Sequence, residues 1–520
     1  MNRTPKYILC HCLENIANDI THIEFSDTIG ILTSKNLSTI PTTITHLKFS
    51  KNYNEKLPAI IPAHIIHIEF GKMYNKSFHP KLSCALTDII FGSRYNRPTT
   101  LPTTVVSVEF GKNFNNNIKI PPNAHIKSIK LGLKYNRPLI LSHCHELTYI
   151  HFDKWSLFDD IIELPPYIDH LSFGYFYNQE IMLPQHITDL RFGNLYNQPT
   201  IIPPSIRYLR LGKYYNQPTT FDIETPIEYL KFKKKYNQPT IIPKNVKHLI
   251  FGNSYDQLTT LSPCLERVSF GDAYDQPTII PPMVKHISFG NSYDQVTIIP
   301  SSVKHVSFGN SYDQMTTIPS SVKHASFGNR YDQPVSILSK HLKYLRFGHD
   351  FDQTIQLPPQ VDELIFGSSY NQQTILPSTI QKVIFGVNYN QPTIFPYGLV
   401  HLVLSQHYRQ TTILPDTLTY LSVNIPYGQK LDYIQRLPPH LEYYICNNTQ
   451  MYRNEDHVGQ LLENYKIIYT NVPGTALSNH VKNNKHNIIT KNTSLIDIAV
   501  TSMKKIPPVN LKTTTKSAYR

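Results

Sequence analysis

Histidine recurs at a fixed interval in this chain, at His286, His305 and His324, each 19 residues after the last. Evenly spaced imidazoles could share a metal ion, exchange hydrogen bonds with a partner, or stack as flat rings. A metal set needs ligands that converge on one point, completed by carboxylates or thiols. Even spacing does not supply that convergence, so surface rings are expected. Their ordinary pKa is about 6.5, so at about pH 5 protonation would set like charges against one another. Two tighter groupings, His143-Cys144-His145 and Cys10-His11-Cys12, are too cramped to chelate one zinc, and neither has a second half nearby. A column of acids at Asp256, Asp275, Asp294, Asp313, Asp332 and Asp352 invites a calcium edge. The same column holds asparagine at Asn197, Asn216, Asn237, Asn371 and Asn390. A position that accepts either residue is expected to cap backbone N–H groups through its side-chain oxygen. Phosphate-cradling glycine loops, nucleophile elbows and zinc-protease motifs do not occur. No catalysis and no cofactor are expected.

These residues are positioned by a repeat. Val303 to Pro319 reads VKHVSFGNSYDQMTTIP, and VKHASFGNRYDQP follows from Val322. The Phe-Gly anchor stands at Phe251, Phe270, Phe289, Phe308 and Phe327, and weaker copies run from Phe25 to Val423 or Cys446, giving about 22 units. A period of this length implies a solenoid, in which each unit contacts its neighbours. Counting from Val303 as position 1, the apolar positions are 1, 4 and 6, as in Val284, Ile287 and Phe289. Positions 4 and 6 share one face of a strand, so positions 3 and 5 face outward. Glycine at position 7 is expected to permit a turn without a Cβ penalty. Tyrosine at position 10 is expected to fill the bend. The return arm, such as Gln238-Pro239-Thr240-Ile241-Ile242-Pro243, is too rich in proline for a long helix. Strands stacked about 4.8 Å apart would give a body of roughly 100 Å.

The recurring Tyr-Asn-Gln-Pro, at Tyr196 to Pro199, Tyr215 to Pro218, Tyr236 to Pro239 and Tyr389 to Pro392, resembles the FNIP repeat. FNIP repeats are similar to leucine-rich repeats and occur in social amoebae and in giant DNA viruses of amoebae. The resemblance spans about residues 20 to 446. It implies a β-rich, LRR-like solenoid with one parallel sheet and a proline-rich irregular convex side. Several such proteins carry an F-box ahead of the repeats, which implies recruitment of targets to a ubiquitin ligase. Here only about 20 residues precede the first strand, roughly half of what an F-box needs.

Position 3, read down the stack, holds nine histidines and five tyrosines, rings suited to a partner or to stacking on one another. The expected protein-binding face comprises Tyr208, Arg210, Tyr229, Lys231, His248, His286, His305, His324 and Tyr344. Residues 1–19 are expected to cap one end, 20–446 to form the solenoid, and 447–520 to supply a cap helix near 455–468 and a basic, partly disordered tail. Net charge is +13, of which about +6 lies beyond residue 446. The remaining basic residues are interrupted by Ser, Ile and Glu at equivalent positions, so no stripe for nucleic acid is expected. Six scattered cysteines and no secretion signal suit an intracellular protein, and no apolar run reaches the length of a membrane span. At Phe152 the period slips, and Trp155 with Asp159-Asp160 forms an irregular coil, expected as tolerated loop variation, with a docking point as the alternative. The expected function is a non-catalytic interaction scaffold. The alternatives are a substrate-recognition subunit of a ubiquitin ligase and, more remotely, a carbohydrate-active enzyme.

Overall fold

The computed structural model describes residues 6–423 apart from 12, 14, 15, 79–84 and 338, together with 433–434, 436–441, 443–446 and 466–469. The chain divides into two compact units, Met1–Val303 and Lys304–Arg520. Both are parallel β-solenoids.

In the first unit short strands pair in parallel, each with the next, from Tyr7–Cys10 and His22–Phe25 to Arg267–Ser269 and His286–Ser288. In the second they run from His305–Ser307 to Tyr443–Cys446 and Lys466–Tyr469. Register is position on position: Tyr208 pairs with Tyr229, Leu209 with Leu230 and Arg210 with Lys231. Within the expected N-terminal cap, Tyr7–Cys10 joins the sheet as its first strand. Most of the expected helix near 455–468 lies outside the described residues, and from Lys466 the chain is a strand instead. The basic tail also lies outside them.

Alternation decides the burial. Val284, Ile287 and Phe289 at positions 1, 4 and 6 are buried, and the ring of Tyr293 at position 10 joins them. Within a coil the Phe289 and Tyr293 rings stack at 4.2 Å. Between coils Tyr274 stacks on Tyr293 at 6.1 Å. The second unit repeats this, with Phe366 on Tyr370 at 3.7 Å and Tyr370 on Tyr389 at 5.9 Å. Burying each such ring contributes about 2–3 kcal/mol.

A buried phenol needs a hydrogen-bond partner, and the return arm provides it. The Tyr215 hydroxyl lies 2.8 Å from Thr219 Oγ1, four residues on, and Thr219 donates to the Gln217 carbonyl. The sequence compensates where it departs from this. Phe114, Phe158 and Phe351 take the tyrosine position, and there position 14 is Ile118, Ile162 and Ile355. Tyr53 and Tyr74 meet Leu57 and Phe78 instead of threonine, and their hydroxyls have no hydrogen-bond partner.

The glycine at position 7 has a different cause from the expected turn. Neither Gly271 nor Gly290 has a left-handed φ. A Cβ on Gly271 would stand 1.8 Å from the Gly252 carbonyl oxygen, and one on Gly290 only 1.6 Å from that of Gly271. Glycine is needed because backbone of adjacent coils approaches closely there.

The return arm is irregular, with short parallel pairs such as Thr316–Ile318 with Val335–Ile337. Among the described residues helix is confined to one turn, Ser34–Leu37, capped by Thr33. Aliphatic side chains at position 15 face solvent, as at Ile279, which is 91% exposed, while the next residue, Ile280, is buried.

Candidate functional site

The expected partner-binding residues fall on the outward face of the strands, divided between the units. In the first, Tyr208, Tyr229, His248 and His286 occupy position 3, while Arg210 and Lys231 occupy position 5. In the second, His305, His324 and Tyr344 occupy position 3. Tyr208, Tyr229 and His248 are consecutive in register. Arg267 separates His248 from His286.

Many rings of the column stack. His305 lies on His324 at 4.3 Å, His22 on His46 at 4.0 Å, Tyr149 on His170 at 4.4 Å and His401 on Tyr420 at 3.8 Å. Stacked rings turn faces, not lone pairs, toward one another, which is not the geometry of a chelate. Among the described residues no group of three or more His, Cys, Asp or Glu could hold a metal ion.

Burial bears on how these rings titrate. Desolvation lowers the pKa of His248, with Arg267 adding to it, and desolvation lowers that of His324. His46 is pushed down to about 4 by desolvation and then by His22 and His67. His401 is pushed down to about 3 by burial, with Lys382 adding to it. At pH 5, therefore, His46 and His401 resist the proton.

The Asn/Asp column is a backbone ladder, and its bonds run between coils. The Asn237 N–H donates to Asn216 Oδ1 at 2.8 Å, and the Asp275 N–H to Asp256 Oδ1 at 3.0 Å. Where glutamine follows, it adds a second bond: Gln238 Nε2 donates to the Asn216 carbonyl and Gln276 Nε2 to Asp256 Oδ1. In the second unit the Asp352 N–H donates to Asp332 Oδ1, and the Asn371 N–H to Asp352 Oδ1. Either residue serves because the N–H of the next coil needs only a side-chain oxygen to accept it.

The irregular coil keeps both columns. Phe158 stacks between Tyr135 and Tyr177, and the Asp159 N–H donates to Asn136 Oδ1 at 2.9 Å. The extra residues are absorbed upstream, which leaves Trp155 52% exposed, against Tyr175 and beneath Lys154 Nζ at 5.1 Å. Trp155 forms part of the wall of an open groove of about 1130 Å³. The groove runs over strands whose position 5 carries both signs of charge, with Lys48 paired to Glu24 at 3.5 Å and Lys130 to Glu109 at 3.3 Å. In the His143-Cys144-His145 group, His143 Nε2 contacts the Ile120 carbonyl, and burial pushes the Cys144 thiol up to about 11. Such a thiol is a poor zinc ligand.

Sequence reasoning passed over one cluster. Lys233 stands where most coils have glycine, and its Nζ donates to Asn194 Oδ1 at 3.0 Å, two coils back. Burial lowers its pKa first, followed by the charges of Lys231, Arg210 and Lys154. The signal was the run Phe232-Lys233-Lys234-Lys235, which breaks the Phe-Gly anchor.

Two solved structures are similar to the chain over most of its length. One is CroV588 of the giant virus CroV, a circular LRR protein, with 21% identity, a TM-score of 0.49, and coverage of 88% of this chain and 96% of that one. The other is YopM from Yersinia enterocolitica WA-314, with 16% identity, a TM-score of 0.48, and coverage of 75% and 79%. No curated protein matches the sequence. The FNIP Repeat model matches residues 34–73, 158–195, 196–223, 236–260, 274–311 and 351–388, and the chain carries FNIP repeats.

Proposed function

We propose that this chain is a non-catalytic scaffold that binds a protein partner through the outward face of its strands. The observation that carries this reading is the composition and setting of that face. Position 3 sets tyrosine and histidine rings side by side at strand spacing, half-buried by their neighbours and so already ordered. Tyr208 is 43% exposed, and the Arg210 guanidinium lies 5.0 Å over the Tyr229 ring. Tyrosine and arginine are favoured at protein interfaces, and rigid side chains lose little entropy on binding. The unpaired thiols Cys144 and Cys264 support a reducing, intracellular setting. Among the described residues no helix is long and apolar enough to cross a membrane.

The test is cross-linking mass spectrometry of proteins purified with the full chain, beside a variant with His286, His305 and His324 replaced by alanine. Cross-links at positions 3 and 5, lost in the variant, support the reading. Cross-links confined to the return arm, or an unchanged set of bound proteins, refute it. Recovery of cullin–Skp1 machinery through the strand face would assign the scaffold to ubiquitin ligation.

A further inference from the structure

The strand face is not uniform. In the first unit, position 5 reads Arg191, Arg210 and Lys231 on three successive, directly paired strands. Upstream the same position mixes glutamate, lysine and neutral residues, as in the Glu109–Lys130 pair, and downstream it becomes Ile250, Ser269 and Ser288. Arg191 is held by Asp189 at 2.8 Å. Among the described residues Arg210, Lys231 and Lys233 have no carboxylate within ion-pairing distance. Lys233 adds its charge by reaching across two coils to Asn194, a neutral acceptor. The Tyr208 and Tyr229 rings lie in the neighbouring column of the same strands.

Cations brought together without a counter-charge raise the energy of the free protein, and an arriving anion relieves that cost. We propose that the coils from Asp189–Arg191 to Tyr229–Lys231 dock a short acidic segment of a partner protein. Its carboxylates meet Arg210, Lys231 and Lys233, and its remaining side chains pack on Tyr208 and Tyr229. This rests on the scaffold reading and names the chemistry of the partner.

Size separates an acidic peptide from a nucleic acid. Arg210 and Lys231 sit on adjacent strands about 4.8 Å apart, and alternate side chains of an extended peptide recur about every 6.8 Å. Flexible arginine and lysine side chains accommodate that difference, so two or three carboxylates span the patch. A single strand of nucleic acid gains affinity by neutralising a long run of phosphates. This patch ends within three strands and is bordered by the Asp189 carboxylate.

The experiment uses the purified full chain and a fluorescein-labelled hexapeptide of alternating Glu and Asp, read by anisotropy at low and moderate salt. An oligothymidylate of similar length is the competing probe. The expected result is saturable peptide binding that weakens at least about tenfold in R210E/K231E. Lys119→Glu, on the return arm, retains the wild-type affinity. The neutral pair R210Q/K231Q, with its fold checked by circular dichroism, guards against misfolding of the charge-reversed variant and is expected to lose affinity as well. Equal affinity in either double variant overturns the proposal, as does tighter binding of the oligothymidylate. Absence of peptide binding, together with face-dependent cross-links to natural partners, overturns the acidic specificity and leaves the scaffold reading standing.

Discussion

Replacing Gly271 with alanine tests the account of the glycine column directly. The new Cβ would stand 1.8 Å from the Gly252 carbonyl oxygen, 2.4 Å from its carbon and 2.8 Å from Asn253 Cα. Real Cβ contacts essentially never fall below 3.0 Å, so the two coils must part by about 1.2 Å at this point. Both sides of the clash are backbone, and no rotamer change relieves it. Two inter-coil bonds sit beside it: the Ala273 N–H to the Asn253 carbonyl at 2.8 Å and the Phe251 N–H to the Ser269 carbonyl at 2.9 Å. Parting by that amount takes both beyond hydrogen-bond range, at roughly 1–3 kcal/mol for each group left unpaired. Restricting the unfolded chain returns only about 0.4–1 kcal/mol. The expected net loss is about 3 kcal/mol, the upper end of ordinary overpacking. Stability in a repeat array is distributed over neighbouring coils, so a single global melting temperature is a poor reporter. Hydrogen exchange of the Phe251, Phe270 and Ala273 amides reads the effect locally, with protection falling about a hundredfold. The control is Gly30→Ala, where nothing lies within 4 Å of the added carbon. Equal protection in G271A and G30A would falsify the close-approach argument and return the column to a turn role.

Acid sensitivity should follow from the buried histidines. His401 has a folded pKa of about 3, against an unfolded value of about 6.5. Its neutral form is the native one, so this contribution is full above pH 6.5 and declines as the unfolded chain takes up a proton below it. Between pH 7 and 4 the second unit should lose about 2 kcal/mol through this residue, after allowing for its partial contact with solvent. Denaturant midpoints at the two pH values check this, and His401→Tyr, the residue type at Tyr344 in the same column, should shrink the difference. Asn216→Ala removes the Oδ1 that accepts from the Asn237 N–H, while the Asn216 carbonyl that accepts from Gln238 Nε2 remains, and should cost about 1 kcal/mol, whereas Asn216→Asp should be nearly neutral. Equal melting of those two variants would refute the ladder. Tyr215→Phe deletes the hydroxyl bonded to Thr219 and should cost about 1 kcal/mol, and Tyr74→Phe, whose hydroxyl has no partner, should cost nothing or stabilise. Calcium and EDTA should leave the melting profile unchanged, since the aspartate column bonds backbone through the same oxygen as asparagine; a calcium-dependent shift would reopen the acidic edge.

What the sequence decided by itself follows from its period. Val284, Ile287 and Phe289 at positions 1, 4 and 6 dictate a strand with one buried face, and recurrence places Tyr208 beside Tyr229 and Arg210 beside Lys231. The interchange of Asn and Asp in one column already pointed to backbone capping, a role that needs no charge. What only the tertiary structure decided concerns distances between coils. Gly271 is required by a carbonyl 19 residues away, and the pKa of His401 is set by its burial. Lys233 gains its meaning from Asn194, 39 residues earlier in the chain. Local sequence reports which way a side chain points along a strand. How closely the next coil approaches, and how much water it removes, is set by the stacking of whole coils, and clash, desolvation and charge repulsion all depend on that separation.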